Sequence, residues 1–267
     1  MSRQAVAKTY KLYLGGAFVR SESGRTDPIE GVNVPRGSRK DVRDAVKVAR
    51  AAQGGWAKRT AYNRGQVLYR LAEALESRSA ELSGATKDGR AELGAAVDLL
   101  VHYAGWTDKL AVVMGGINPV AGPHLSFSTP EPTGVVAVLA PDEPDVLGLI
   151  RAVAPVLAAG NTAVVVVSRR SPLRSLDLGE VAGVSDVPGG VLNLLCGRMG
   201  ELLTPLCGHR DVNAIVDATG DASLAAKVDE LASETVKRVS RPAADADPLS
   251  RLEAVMELKT AWHPVGT

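Results

Sequence analysis

The sequence predicts an α/β fold built around a doubly wound parallel sheet. Two uninterrupted apolar runs, residues 133–140 and 162–167, have the length and the valine-rich composition of strands buried on both faces. Helical periods occupy residues 146–159 between these runs and residues 173–182 after them. Strands and helices that alternate in this way are typical of a parallel sheet with helices on both faces. Aromatic residues make up only 4% of the chain, so valine, leucine and alanine must fill the core.

The first part of the chain predicts a hairpin followed by helices. Residues 10–20, YKLYLGGAFVR, place apolar side chains on either side of Gly15 and Gly16, which allow the positive φ of a tight turn. Asp41 has the position of an N-cap for an amphipathic helix that reaches residue 52. Further apolar periods predict helices over residues 61–79, 80–88 and 91–113.

The second half of the chain continues the alternation of strands and helices and then reaches a predicted linker. Gly160 is the expected C′ residue of the helix that precedes it. The pattern also predicts an extended segment at residues 125–129, strands at 190–195 and 213–216, and a helix at 223–236. Residues 240–250, SRPAADADPLS, carry two prolines and small polar side chains and are expected to form a linker. A last strand is predicted over residues 255–262.

Composition and charge exclude several classes of function. The 31 basic and 30 acidic side chains leave a net charge of +1, which gives no electrostatic footprint for nucleic acid or an anionic membrane. No apolar stretch of about 18 residues occurs and no signal peptide opens the chain, so we expect a cytoplasmic protein with reduced thiols. Cys196 and Cys207 are expected to be partly buried structural thiols, and the four scattered histidines predict no metal site.

Several segments carry a more specific signal. They are LYLGGAFV, the helical stretch 41–78 that begins DVRDAVKVARAA, EPTGVVAVLAP at 131–141, APVLAAGNTAVVV at 154–166, VPGGVLNLLCG at 187–197, ATG at 218–220 and ELKTAWHPVG near the end. Together, and in this order, they resemble the aldehyde dehydrogenase superfamily. The resemblance implies a Rossmann-like NAD(P)-binding domain over residues 1–240, with an oligomerisation hairpin at 118–138. It further implies that residues 241–250 link this domain to a C-terminal oligomerisation strand at 251–267.

The same resemblance places cofactor contacts on five residues, Pro141, Ser168, Gly197, Thr219 and Gly220. The chemistry of the family is interrupted elsewhere. Asp142 and Glu143 stand where the family has Trp-Asn, so the amide that would donate to an oxyanion is missing. Residues 166–169 replace a Lys-Pro-Ser-Glu run that holds the adenosine ribose, and Pro242 stands in place of the glutamate base. The domain that carries the nucleophilic cysteine has no counterpart. No catalytic residue is therefore predicted, and NAD or NADP is expected to bind weakly or not at all.

The retained segments favour assembly over chemistry. We expect a non-catalytic member of the superfamily that assembles with a full-length aldehyde dehydrogenase subunit, or with itself, as a structural or regulatory subunit. Loss of the catalytic domain would expose apolar surface, and an unpaired C-terminal strand would invite pairing with another sheet. Three alternatives stay open. They are a stand-alone NAD(P)-binding or sensing module, a divergent NAD(P)-dependent aldehyde oxidoreductase that uses Cys196, and a decaying gene product.

Overall fold

The computed structural model describes residues 8–84 and 87–265. The strands, in chain order, are β1 (Leu12–Leu14), β2 (Ala17–Val19), β3 (Thr26–Ile29), β4 (Val32–Pro35), β5 (Gly116–Asn118), β6 (His124–Pro132), β7 (Val135–Leu139), β8 (Thr162–Val166), β9 (Leu192–Leu195), β10 (Ala214–Asp217), β11 (Arg238–Ser240) and β12 (Met256–Pro264). The helices are α1 (Arg39–Ala57), α2 (Ala61–Ser77), α3 (Ser79–Leu82), α4 (Lys87–Trp106), α5 (Leu110–Met114), α6 (Asp145–Ala158), α7 (Pro172–Val184), α8 (Met199–Cys207), α9 (Ala222–Ser233) and α10 (Pro248–Glu253).

Seven strands form the main sheet, in the order β11-β10-β7-β8-β9-β1-β2. The five strands from β11 to β9 run parallel, whereas β1 and β2 add the predicted hairpin in antiparallel orientation at one side. The parallel part starts at β7, extends through β8 and β9, and then continues on the other side of β7 with β10 and β11. This arrangement confirms the predicted doubly wound sheet. Its topological switch point lies between β7 and β10.

The centre of the main sheet is closed to solvent. Every residue of β7 and of β8 is 0% exposed. Helices α1 and α6 both pack against these two strands, and α6 ends as predicted before Gly160, whose φ is +90°. Full burial of a valine or leucine side chain stabilises the fold by about 1.5–3 kcal/mol. Such two-sided burial explains why continuous apolar runs, and not alternating ones, encode these strands.

A second, antiparallel sheet has the order β12-β6-β5 and is called the arm below. Strand β12 pairs with β6 of the same chain along its whole length, with nine residues in register. The expectation of an unpaired C-terminal strand is therefore wrong. Of the two edges of β12, the inner one pairs with β6 and the outer one has no neighbouring strand within the described ranges. The hairpin expected at 118–138 also needs correction, because residues from Val135 onward form β7 and belong to the main sheet.

Helix boundaries differ from the sequence predictions in three places. Ser38, not Asp41, is the N-cap of α1, and the Asp41 carboxylate accepts a hydrogen bond from the Ser38 amide at 2.8 Å in a capping box. The helix predicted over 91–113 is divided into α4 and α5 by a turn after Trp106. The helix predicted over 80–88 is the short α3, and part of that range lies outside the described residues.

Helix α8 is missing from the sequence predictions. It is short, and Pro205 lies inside it, so its helical pattern is weak. None of the helices within residues 8–84 and 87–265 is long and apolar enough to cross a membrane.

The stretch expected to be a linker, 241–250, is tied to the body of the protein. Arg241 pairs with Asp217 at 3.1 Å and with Asp229 at 2.7 Å. Residues from Pro248 onward form α10, where the buried Arg251 donates hydrogen bonds to the carbonyl groups of residues 243, 244 and 246. Prolines and small polar residues produce a linker signal in the sequence, but these long-range bonds make the segment an ordered loop and helix. The domain boundaries themselves stay predictions.

Candidate ligand site at the switch point

A cavity of about 590 Å³ opens at the carboxyl ends of β7 and β10. Its walls are residues 141–144 after β7, residues 217–222 at the end of β10, the loop 241–244, and parts of α6, α9 and α10. In doubly wound sheets, ligands bind in the crevice at the switch point, because the connections on its two sides lead to opposite faces. The topology therefore makes this cavity the leading candidate for a ligand site.

Three of the five predicted cofactor contacts line this cavity together: Pro141, Thr219 and Gly220. Gly148 on α6 approaches Pro141 so closely that a Cβ on it would lie 2.5 Å from the proline Cγ. Only glycine therefore lets α6 pass beneath this loop. The Thr219 amide and hydroxyl both donate to Asp217 Oδ1, at 3.2 and 2.7 Å, and so order the turn after β10. Contact between these residues and a cofactor stays a prediction.

The other two predicted contacts, Ser168 and Gly197, lie outside this cavity. The buried Ser168 hydroxyl donates to Asp142 at 2.9 Å and accepts from the amides of Arg170 and Ser171. Its hydrogen-bonding capacity is thus used within the turn after β8. Gly197 lines a separate cavity of about 290 Å³ beside the β3–β4 hairpin. The structure does not gather the five predicted residues into one cavity.

The carboxylates of the cavity wall are all partnered. They are Asp142, Glu143, Asp217 and Asp221. Asp142 accepts a hydrogen bond from the Ser168 hydroxyl, and Glu143 pairs with the Arg170 guanidinium at 3.5 Å. Asp217 pairs with the Arg241 guanidinium at 3.1 Å, and Asp221 accepts from the Ser223 amide at 2.8 Å at the start of α9. Each carboxylate therefore has a partner within the chain, but only Glu143 and Asp217 are paired with a basic side chain.

Three arginines also line the cavity, and the sequence reasoning missed all of them: Arg151, Arg241 and Arg251. Arg241 is neutralised by two carboxylates, whereas Arg251 donates to backbone carbonyl groups. Arg151 makes no hydrogen bond or ion pair through its guanidinium with any residue of the described ranges. A signal for Arg151 was present, since it is the only basic residue of the apolar helix α6. Arg241 and Arg251 reach the cavity through tertiary contacts that no local pattern announces.

The two thiols lie in the interior and are more deeply buried than predicted. Cys196 and Cys207 are both buried and free. Burial raises the pKa of each thiol to about 12, which is opposite to the shift that produces a nucleophilic thiolate. Neither cysteine lines the switch-point cavity. In the part of the chain that the structure describes, no group of three His, Cys, Asp or Glu side chains is arranged to hold a metal ion.

Fold and cavity together define a Rossmann-like α/β protein with a ligand crevice at its switch point. The sequence model of the aldehyde dehydrogenase family matches residues 24–243. The chain belongs to this family, as its sequence segments predicted.

Individual relatives support this assignment. The DhaS protein of Bacillus subtilis is 30% identical over 252 residues, which are 87% of this chain and 50% of that protein. The mitochondrial aldehyde dehydrogenase family 2 member B4 of Arabidopsis thaliana is 33% identical over 223 residues, 77% of this chain and 41% of its own length. The NAD+ complex of an aldehyde dehydrogenase from Bacillus cereus has a TM-score of 0.83 at 24% identity, over 92% of this chain and 55% of that chain. The chain thus spans about half the length, or less, of these curated relatives.

Proposed function

We propose that this chain is a non-catalytic member of the family that assembles with a full-length aldehyde dehydrogenase subunit, as a structural or regulatory component. An apolar row across the arm carries the proposal. Ile117 on β5 lies opposite Phe127 on β6, and Phe127 lies opposite Ala261 on β12. Ile117 is 77% exposed and Phe127 is 37% exposed, so the row faces solvent in the isolated chain. Contiguous exposed apolar side chains are characteristic of surfaces that a partner covers.

The opposite face of the arm has a different chemistry. There the Asn118 side-chain amide donates to the hydroxyls of Ser126 and Ser128, at 3.1 and 2.9 Å. The Ser128 hydroxyl also shares a hydrogen bond with Thr260 at 2.8 Å. Both serines are buried, so the chain itself covers this face around them. Leu258 and Trp262, which pair with Pro130 and Ser126 on the serine face, are exposed as well, so the docking role of the row rests on the exposure of Ile117 and Phe127 beside the buried serines.

A full-length subunit of the same family is a suitable partner. The match to DhaS extends over 87% of this chain, so a full-length relative carries a region similar at least to β5 and β6 of the arm. Similar surfaces on related chains can pair in the manner of subunits in a symmetric oligomer. The free edge of β12 adds backbone donors and acceptors that a neighbouring strand can use.

Two features support a role without chemistry. Both thiols have a raised pKa and are buried, which weakens the alternative of a divergent dehydrogenase that uses Cys196. Carboxylates at Asp142 and Glu143 line the cavity where the family has its oxyanion donor. A carboxylate repels an oxyanion and has no proton to donate at neutral pH.

Co-expression with a full-length aldehyde dehydrogenase tests the proposal, with the complex measured by light scattering and native mass spectrometry. Ile117→Asp puts a charge into the row and is expected to reduce the recovered hetero-complex about tenfold or more, because an unpaired carboxylate is costly to desolvate. Val236→Asp is the matched control, because Val236 is 92% exposed and lies outside the arm. A stable monomer that ignores the enzyme would contradict the proposal. A homo-oligomer formed through the same row would mean that the docking surface is correct but that the partner is a second copy of this chain.

A stand-alone NAD(P)-binding or sensing module is the second candidate, favoured by the cavity at the switch point. Calorimetric titration of the isolated chain with NAD and with NADP tests it. Arg169 lies exposed after β8, at the carboxyl edge of the sheet. Loss of NADP affinity in Arg169→Glu, with NAD affinity unchanged, would favour a sensor of the phosphorylated cofactor. If neither NAD nor NADP gives a binding signal while the hetero-complex still forms, assembly is the only one of the two candidate functions that remains.

A further inference from the structure

One end of the switch-point cavity carries positive charge that no carboxylate compensates. Arg251 on α10 is 6% exposed, and the hydrogen bonds of its guanidinium go to the backbone carbonyl groups of residues 243, 244 and 246. Arg151 lies in the second turn of α6, against which α10 packs. Within residues 8–84 and 87–265, its guanidinium has neither a hydrogen bond nor an ion pair. Two guanidinium groups therefore line one cavity without a carboxylate between them.

The neighbouring aspartates do not neutralise the positive charge of these two arginines. Burial lowers the pKa of Arg251, and repulsion from Arg151 adds to the lowering, while Tyr103, Asp245 and Asp247 act in the opposite direction. Neither aspartate forms an ion pair with Arg251 in the described part of the chain. Asp247 is the N-cap of α10 and accepts from the Ser250 amide at 3.0 Å. The repulsion between the two arginines is thus not offset by an ion pair to either guanidinium within the described ranges.

A third polar group at the same junction lacks a partner. The Tyr103 hydroxyl, on α4, is 0% exposed and makes no hydrogen bond within the described ranges. Burial raises the pKa of Tyr103 to about 12, and both Arg251 and Arg151 oppose that rise. The hydroxyl therefore lies in the field of both guanidinium groups, where α4 and α10 pack against α6. Buried polar groups are almost always hydrogen-bonded, but Tyr103 does not line the cavity, so its hydroxyl marks the charged junction and is not a contact for a ligand there.

We propose that this end of the cavity binds the oxyanion group, phosphate or carboxylate, of a small metabolite, held by the guanidinium groups of Arg151 and Arg251. Guanidinium forks bind such groups in bidentate fashion, and the anion would remove the like-charge repulsion. Asp142, whose side-chain partner is the uncharged Ser168 hydroxyl, lines the same cavity and disfavours a second anionic group. The remainder of the ligand is therefore neutral or cationic. The arm takes no part in this site, so the inference does not depend on assembly.

Thermal unfolding of the isolated chain tests the site, with inorganic phosphate and acetate as separate probes at constant ionic strength. Each effective anion is expected to raise Tm by about 2–4 °C in the wild type. Arg151→Gln should raise Tm without any anion, because it removes the repulsion, and should abolish the response to the anion. Arg151→Lys keeps the charge without the planar fork and should respond partially. Arg43→Gln is the control, because Arg43 is an exposed arginine of α1 that pairs only with the adjacent Asp44 in the described ranges.

The outcomes separate the site from a structural role. A rise with phosphate alone identifies a phosphate ester as the ligand class, and a rise with acetate alone identifies a carboxylate. The inference is overturned if neither anion raises Tm, or if Arg151→Gln still responds. It is equally overturned if Arg151→Gln lowers Tm in the absence of anion, because the arginine would then stabilise the fold by itself.

Discussion

The main sheet and the arm are built by opposite rules. Strands β7 and β8 are apolar except for Thr162 and are buried on both faces, so this region is covered completely by the chain itself. In the arm, hydroxyl and amide side chains form a buried network on one face, while Ile117 and Phe127 stay exposed on the other. The comparison separates the region suited to binding a small ligand from the region suited to binding another protein. The proposed crevice for a small ligand lies at the carboxyl edge of the closed sheet, and the proposed docking surface for another protein lies on the half-covered arm.

The largest expected effect concerns the closed interior of the main sheet. At pH 8, a disulfide-exchange reagent such as dithionitrobenzoate should modify Cys196 and Cys207 about a thousandfold more slowly than free cysteine. The reason is the burial that raises each thiol pKa to about 12. The colour reaction should be complete once guanidinium unfolds the chain. Rapid modification of either thiol in native buffer would show that the protein interior opens to the reagent. The contrast between a closed interior and an exposed arm would then be wrong.

Truncation of one side chain in each region compares them directly. Leu139→Ala, at the end of β7, is expected to lower the free energy of unfolding by about 2–5 kcal/mol, because the cavity left behind cannot collapse. Ile117→Ala in the arm should change it by no more than about 0.5 kcal/mol. Urea denaturation of the isolated chain measures both values. Similar losses at the two positions would mean that the row is covered within the chain itself.

Asn161 connects the two regions and should have an intermediate effect. Its Oδ1 accepts from the Gly134 amide at 2.7 Å, at the joint between β6 and β7. Its Nδ2 donates to the Val255 carbonyl at 2.8 Å, next to the start of β12. Asn161→Ala is expected to cost about 1–3 kcal/mol of unfolding free energy in urea, because buried backbone groups lose their partners. Asn33→Ala, at an exposed asparagine of β4, is the control and should be close to neutral.

The smallest expected effect lies in the polar network of the arm. Ser128→Ala removes the hydrogen bonds to Asn118 and Thr260 and should cost about 0.5–1.5 kcal/mol in the same urea assay. The hetero-complex should survive this change, because Ser128 faces away from the apolar row. Loss of the complex in Ser128→Ala would place the docking surface on the wrong face of the arm.

Local composition determined how much of the fold the sequence could predict. Strands β7 and β8 and the turn at Gly15 and Gly16 follow from continuous apolar runs and from residues that tolerate positive φ. An unpaired C-terminal strand was predicted in place of the pairing of β6 with β12, because no local signal joins strands so far apart. The ordered stretch before α10 was missed for a similar reason, since Arg251 fixes it by bonds that the sequence does not display.

The candidate site shows the same division. Pro141, Thr219 and Gly220 follow two strands of a parallel sheet, and their meeting in one cavity is a consequence of strand order. Ser168 and Gly197 follow strands as well, but hydrogen bonds and hairpin packing direct them elsewhere. Arg151 and Arg251 come together only through packing of α6 and α10, which depends on the folded core.

The register of the arm has a consequence for biosynthesis. The hydroxyls of Ser128 and Thr260, which share a hydrogen bond, are 132 residues apart in the chain. At ribosomal speeds of about 5–20 residues per second, roughly 7–26 seconds pass between the synthesis of β6 and that of β12. Closing so long a loop is favourable only after the intervening residues have folded. During that interval the edge of β6 that β12 later covers has no partner strand from this chain.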